Sequence, residues 1–524
     1  MKDSELGQAV VIAVVLSVVF VISYALFGQT LLLRPLWMDE VHSWLLISDP
    51  DPLHALRSLM QGADYNPPVY YGMAKVFTWV LPLNEHNLRA MSTLMVLSTA
   101  IGLALVFDRH MRMPASIGCA LLICSQELII LQSTEVRFYA LWLALLTWFC
   151  FGLTTGKRSL KAVQYTVLSV FAALIAGTHY FGVITIGLVC TAFVAARKFD
   201  KDAMIRAGIP FAAAVITVAC CLPLLSGQKA ALTCDTWVTA ANLERTIAYV
   251  QQFFPNMLLL VCFAIWLIGF FLRSPEADAS MVVKSAPESG SNLQDDYVDG
   301  AGNVPRTDHL PPEGNVPPDA MFVFGSLLLM PLVLIVFSLV VQPALVNRYA
   351  IAGCLGLVPI LTFLLKTEER RKSILVLVAG CLMFAVAVRS GSATWDHKLE
   401  SNQQLTKELQ QLPETEVVLF EDRVDYWMMQ HNVPHSNWYQ LDFNSSPTDD
   451  IANLRIVQRD VGRAIQPLYP NRFPLKSLSD CDGQDIFVVP YQSKQPFSDV
   501  LNSKRTLEKV SERIFKASVS ADIR

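Results

Sequence analysis

Charged side chains are scarce in this 524-residue chain: Asp, Glu, Lys and Arg make up 16% of it against 53% hydrophobic residues. With a mean hydropathy of +0.40, that balance excludes an ordinary water-soluble globular protein of this size and makes a bilayer the natural solvent. Cationic excess is missing too. A net charge of -4 leaves no broad basic surface, so nucleic acid is not an expected partner. Cysteines with metal-ligand spacing are absent: nine of the eleven (Cys119, Cys124, Cys150, Cys190, Cys220, Cys221, Cys262, Cys354, Cys381) fall inside apolar runs and read as small buried hydrophobes. Cys234 and Cys481 lie outside those runs and would pair if both face an oxidising compartment. There is no P-loop, GxGxxG, GxSxG or HExxH, and no internal repeat of the kind that builds transporters from inverted halves.

What the sequence has in abundance is long apolar runs. About 20 such residues carry a helix across the hydrocarbon core, where backbone amides find partners only within their own segment. By that measure about eleven spans are predicted, near 7 to 27, 88 to 107, 114 to 132, 138 to 155, 162 to 178, 180 to 196, 203 to 225, 250 to 272, 320 to 341, 350 to 366 and 373 to 390. The run from Leu6 to Leu33 is too long for a signal-peptide core and reads as a retained first span.

Basic residues collect in every second loop, at Arg109 and Arg112, at Lys157, Arg158 and Lys161, at Arg197, Lys198, Lys201 and Arg206, at Arg273, and at Lys366, Arg370, Arg371 and Lys372. Basic loops stay in the cytoplasm, which places the N-terminus inside. The loop after the first span, the segments at Glu135 and Arg348, the turn at His179 and everything past Arg389 then lie outside.

The expected fold class is an all-α polytopic membrane protein with a small α/β extracytoplasmic C-terminal domain. A transmembrane module fills 1 to 272, its first outer loop (34 to 87) carrying segments that read as helices on the membrane surface. Residues 273 to 319 are rich in Pro, Gly, Ser and acids and read as a disordered cytoplasmic linker. Further spans occupy 320 to 390. From 391 to 524 the chain turns polar, with a helical pattern at 397 to 412 and strands at VVLFE and DIFVVPY.

Candidate chemistry gathers on the expected outer side. Asp39 and Glu40 follow the first span in RPLWMDEVHSW. They admit a solvated helix start with Asp39 as N-cap, or a carboxylate base that deprotonates a hydroxyl. Asn66 precedes two prolines and the aromatic run with Tyr70 and Tyr71, a helix start or part of a site. STEVRFYA sets Glu135, Arg137 and Tyr139 at a span end, where an arginine either snorkels or pairs its planar fork with phosphate oxygens. His179 with Tyr180 and Arg348 with Tyr349 allow the same choice between anchor and site. Together they form a cationic cradle beside a carboxylate base, the parts needed to displace a lipid phosphate from a sugar carbon. Trp44, Tyr65, Tyr70 and Tyr71 would supply an aromatic platform.

The order of these motifs, a DE pair after the first span, a PP-aromatic segment, LRAMSTLMVLSTAIGLALVF, an E-x-R-x-Y element and an HYFG turn, resembles the GT-C superfamily of glycosyltransferases. Within it the chain is similar to the branch of protein O-mannosyltransferases, lipid A aminoarabinose transferase and lipopolysaccharide-core transferases, over residues 1 to about 225. The resemblance implies an inverting enzyme of a bacterial inner membrane. Its donor would be a polyprenyl-phosphate sugar and its acceptor a protein, lipid or glycan. It also implies Asp39 as catalytic acid with Glu40 as partner, Glu135 as second acidic element, and Arg137 or Arg348 on the phosphate. His179, Tyr180, Tyr139, Tyr349, Asn66 and Tyr70 would line the donor site. Asn66 stands where relatives often carry His or Lys. Some relatives use a divalent cation; its ligands here would be Asp39 and Glu135. Two other readings stay open: a flippase for a lipid-linked sugar, which would carry charges at mid-membrane, and a non-catalytic scaffold.

Overall fold

The computed structural model describes residues 3–155, 161–230, 244, 247, 318–341, 344, 346–367, 369–420, 429, 436–441, 475–481, 484–490, 505–511 and 513–519. The span expected at 250 to 272, nearly all of the linker and Cys234 lie outside them. Six described helical segments are long and apolar enough to cross a bilayer, and four more apolar helices run 10–17 residues. The protein is a multi-pass integral membrane protein.

In chain order the helices are α1 (Asp3–Phe27), α2 (Gln29–Leu33), α3 (Met38–Ser48), α4 (Pro52–Met60), α5 (Val69–Phe77), α6 (Glu85–Phe107), α7 (Met113–Cys124), α8 (Glu127–Gln132), α9 (Tyr139–Thr155), α10 (Ala162–Thr178), α11 (Gly182–Ala196) and α12 (Lys201–Ala230). They continue as α13 (Pro318–Ser326), α14 (Met330–Val340), a 3-10 helix over Asn347–Leu357, α15 (Val358–Leu365) and α16 (Arg370–Gln410). α1 illustrates why such sequences bundle. Ile12, Leu16, Phe20 and Tyr24, four residues apart, are buried, while Val10, Val14, Val18, Val21 and Ile22 are exposed. An apolar stripe packs inward and an equally apolar face meets lipid.

Three expected spans differ in detail. The run 114 to 132 breaks into α7 and α8 at Ser125 and Gln126, whose side chains donate back to the Leu122 carbonyl and compete with the helical ladder. The span at 350 to 366 is a 3-10 helix followed by α15, with Pro359 in the first turn of α15 supplying no amide donor. α16 does not stop near 390. It runs 41 residues, about 60 Å at 1.5 Å per residue, so the membrane helix and the polar helix expected after it are one rod. α7 and α16 cross backbone to backbone: a Cβ on Gly380 would lie 2.5 Å from the Gly118 carbonyl oxygen, the close approach that glycine permits in membrane helices.

The C-terminal sheet comprises β1 (Val417–Phe420), β2 (Trp438–Leu441), β3 (Leu475–Lys476), β4 (Ile486–Val489), β5 (Arg505–Lys509) and β6 (Phe515–Val519), in the order β3-β2-β1-β4-β6-β5. β3, β2, β1 and β4 are parallel; β5 and β6 form an antiparallel edge. All four residues of β1 and of β4 are buried, as expected of strands covered on both faces. Val418 and Phe420 join the core that includes Leu405 and Leu409 of α16, while Val417 and Leu419 pack on the opposite side with Ile486 and Val488.

At one end of the bundle, α2 to α5 fold the segment between α1 and α6 into a cap. α12 supports it where Gly227 touches the Met60 backbone. Its rim is apolar: Leu53, Leu56, Met60, Trp79 and Val80 are exposed, in keeping with the expected interfacial helices. The segment from Ser133 to Phe138, the turn after α10 and the start of the 3-10 helix reach the same end.

Candidate active site

α3 begins at Met38 with Trp37 as N-cap, so Asp39 is not the cap residue; it sits in the first turn. Adjacent residues on a helix point about 100° apart, and Asp39 and Glu40 enter different surroundings. Glu40 is fully buried. It accepts Arg34 Nη1 at 2.5 Å and Nη2 at 2.9 Å, Arg89 Nη2 at 3.2 Å, and the backbone N–H groups of Trp37 at 2.7 Å and Val136 at 2.9 Å. Burial opposes its ionisation, but Arg34 and Arg89 outweigh it and hold the carboxyl below the usual range. Arg34 also lies over the Trp395 ring of α16, 3.8 Å from its centroid. Glu40 therefore knots α3, α6 and the segment before α9 together, and through Arg34 reaches α16.

Asp39 faces the other way and pairs with Arg348, Oδ2 to Nη1 at 2.7 Å. Arg137 approaches from the other side. Its Nη1 donates to Asp64 Oδ2 at 2.5 Å, to the Asp39 carbonyl at 3.1 Å and to Ser43 Oγ at 3.3 Å. Among the described residues no acceptor meets its buried Nε, nor the buried Nε of Arg348. Asp64 further accepts Tyr71 Oη at 2.6 Å, Asn66 Nδ2 at 2.9 Å and the Tyr65 N–H at 2.7 Å. Burial would raise its pKa, yet Arg137 overrides this and keeps it ionised.

Glu135 borders this cluster without an ion-pair partner among the described residues, and its buried Oε2 accepts no hydrogen bond there. Burial, reinforced by Glu40 and opposed by Arg348, pushes its carboxyl up to about 7. Tyr70, Tyr139 and Tyr349 add buried or half-buried rings, with the Arg348 guanidinium 5.9 Å from the Tyr139 centroid.

His179 belongs to the wall of the site. Its ring lies 4.7 Å from Phe138, 5.1 Å from Trp142, 5.0 Å from Tyr349 and 5.3 Å from Phe181. Nδ1 accepts the Phe181 N–H at 3.3 Å. Burial, with Arg137 and Arg348 nearby, brings its pKa down to about 3, so it stays neutral at physiological pH and offers a phosphate no charge. Tyr180 points away, to Gln228 Oε1 at 3.0 Å.

No three or more His, Cys, Asp or Glu side chains among the described residues converge as metal ligands. Of the two carboxylates assigned to a cation, Asp39 already carries the Arg348 guanidinium, which a bound dication would have to displace.

The structure thus brings Asp39, Arg137, Arg348, Glu135, Tyr70, Tyr139, Tyr349 and His179 to one end of the bundle, and sets Glu40, Asn66 and Tyr180 behind them. The sequence reading missed Arg34, Arg89 and Asp64. Arg89, inside a span and fully buried, carried a signal: a cation there demands a buried anion.

Neither a protein-family model nor a curated protein matches this chain. Solved structures do. ArnT from Cupriavidus metallidurans shares its fold both in the apo state, with a TM-score of 0.56, and bound to undecaprenyl phosphate, with a TM-score of 0.54. In each case identity is 10% and 99% of either chain is covered.

Proposed function

We propose that this protein is a GT-C glycosyltransferase that moves a sugar from a polyprenyl-phosphate donor to an acceptor hydroxyl at the outer face of the membrane, with inversion at the anomeric carbon. The observation that carries the reading is the convergence of two arginines on Asp39, Arg348 on its carboxylate and Arg137 on its carbonyl, each with a guanidinium Nε that meets no acceptor among the described residues. The shared fold with ArnT, seen with undecaprenyl phosphate, supports a polyprenyl phosphate as the anion they hold. The alternation of basic loops supports a cytoplasmic N-terminus and, with it, a site on the outer side.

Asp39 takes the proton of the acceptor hydroxyl. The oxygen attacks the anomeric carbon as the carbon–oxygen bond to phosphate breaks. The electron pair leaves with the lipid phosphate, stabilised by Arg137 and Arg348. Arg348 ties donor binding to base activation: a phosphate competes with Asp39 for the guanidinium and frees the carboxylate to accept a proton. Glu40, enclosed by Arg34 and Arg89, anchors the helix that carries Asp39. Tyr70, Tyr139, Tyr349 and His179 shape the donor pocket, and Glu135 stands ready to meet a sugar hydroxyl.

The test is product analysis with purified protein and polyprenyl-phosphate sugars of defined anomeric configuration. Release of one polyprenyl phosphate per sugar transferred, with inverted configuration, is expected. Retained configuration, or movement of intact donor without bond cleavage, would overturn the proposal.

A further inference from the structure

Among the described residues Arg137 is held on one side only, and its principal holder is an acid that no sequence motif singled out. We propose that Asp64 is a positioning residue of the transferase, fixing the Arg137 guanidinium so that its Nε–Nη2 edge faces the donor's lipid phosphate. The inference rests on the function proposed above and deepens it.

Three observations carry it. First, all the hydrogen bonds of Arg137 among the described residues leave from Nη1, while Nε is buried with no acceptor there. A guanidinium gripped by one nitrogen keeps the opposite edge for two parallel bonds to phosphate oxygens. Second, Asp64 is itself fixed from several directions. Tyr71 of α5 donates to the same Oδ2 that Arg137 uses, while Asn66 Nδ2 and the Tyr65 N–H hold Oδ1. Third, its backbone is braced from a distant helix: Gln228 of α12 donates to the carbonyls of Asp64 at 2.9 Å and Asn66 at 3.3 Å, and Tyr180 Oη secures Gln228. Asn66 and Tyr180 thereby act on the phosphate site through Asp64 without touching it. Asp64 neutralises Arg137, so it adds no attraction for an anion. Its contribution is direction, a fork pre-organised before the donor arrives.

The experiment measures undecaprenyl phosphate binding to the full-length protein in nanodiscs for wild type, Asp64→Asn, Arg137→Ala and the double variant, with Tyr71→Phe as a milder loosening of Asp64. Asp64→Asn is expected to weaken binding about tenfold, the scale of a misdirected charge-assisted bond, and Tyr71→Phe to weaken it less. Asp64→Asn should add no more than about twofold once Arg137 is alanine, since residues acting through one another are not additive. Equal losses in both backgrounds would make Asp64 a general structural residue, and unchanged or tighter binding in Asp64→Asn would refute positioning outright. If Arg137→Ala binds as wild type does, the phosphate assignment of the proposed function fails with it; if only the Asp64 coupling is missing, that assignment stands and this inference alone falls.

Discussion

Glu40→Gln should unfold the cap far more readily than its conservative appearance suggests. The substitution keeps the shape of the side chain and one oxygen for the Trp37 or Val136 amide, but it faces the fully buried Arg34 and Arg89 with no charge. Removing one partner of a buried ion pair costs about 3–5 kcal/mol, most of it the penalty of the stranded charge; here Arg34 is stranded, while Arg89 keeps only the longer contact with Glu85 at 3.6 Å. A loss of that size lowers an apparent Tm by on the order of 10 °C. Thermal unfolding of the purified protein in detergent, followed by the surviving monodisperse fraction, reads it directly. Asp39→Asn serves as control, because its partner Arg348 is partly exposed and the expected shift is much smaller. A triple variant with methionine at Arg34, Glu40 and Arg89 should recover much of the loss, since no fully buried charge then remains there and Glu85, which loses Arg89, is partly exposed. The sign with pH follows from the depressed folded pKa of Glu40. Its stabilisation is complete above the unfolded value of about 4.3 and disappears as pH falls through the lower folded value, so Glu40→Gln should flatten that acid limb. A Glu40→Gln protein with the Tm and acid limb of wild type would refute the knot around Glu40.

Glu135 has the opposite sign. With a folded value pushed up to about 7, it favours the fold below the unfolded value of about 4.3 and withdraws that support as pH rises through about 7. Wild type should therefore lose Tm between pH 5 and pH 8 in buffers where Glu135→Gln does not, a difference absent if the carboxyl is already ionised at pH 5. Gly118→Val should destabilise the crossing of α7 and α16, because the added Cβ meets the Val376 carbonyl of the opposing backbone; about 1–3 kcal/mol is expected for overpacking, with unchanged expression and Tm as the contrary result.

Much of the architecture was legible because a bilayer imposes one strong rule on sequence: a helix that crosses it must be apolar for about 20 residues. The apolar helices, the α16 region and two strands of the C-terminal sheet followed from that rule and from short apolar runs. The break at Ser125 and Gln126 did not, because it depends on side chains bonding their own backbone. The 3-10 start at Asn347 was equally hidden, and so was the continuation of α16, since a polar helix joined to an apolar one has no marker of continuity.

In the site, an acid pair and two arginines could be read from their order along the chain. Which acid is buried could not be read, because it turns on 100° of helix rotation and on Arg34 and Arg89, one at a span end and the other within a span. Asp64 was invisible for a related reason: its partners Arg137 and Gln228 lie 73 and 164 positions away. His179 could be read as a turn or a donor-site residue, but GTHYFG shows only Phe181 of the four rings that bury it; Phe138, Trp142 and Tyr349 come from elsewhere in the chain.

The central claim is that Asp39 takes the acceptor's proton while arginines hold a lipid phosphate. Membranes from cells expressing wild-type or Asp39→Asn protein at matched levels, supplied with radiolabelled polyprenyl-phosphate sugars, test it most directly. Label should pass to product with wild type and fall by at least about a hundredfold with Asp39→Asn, the lower end of what a positioned base contributes. Equal transfer by the two proteins would contradict the account.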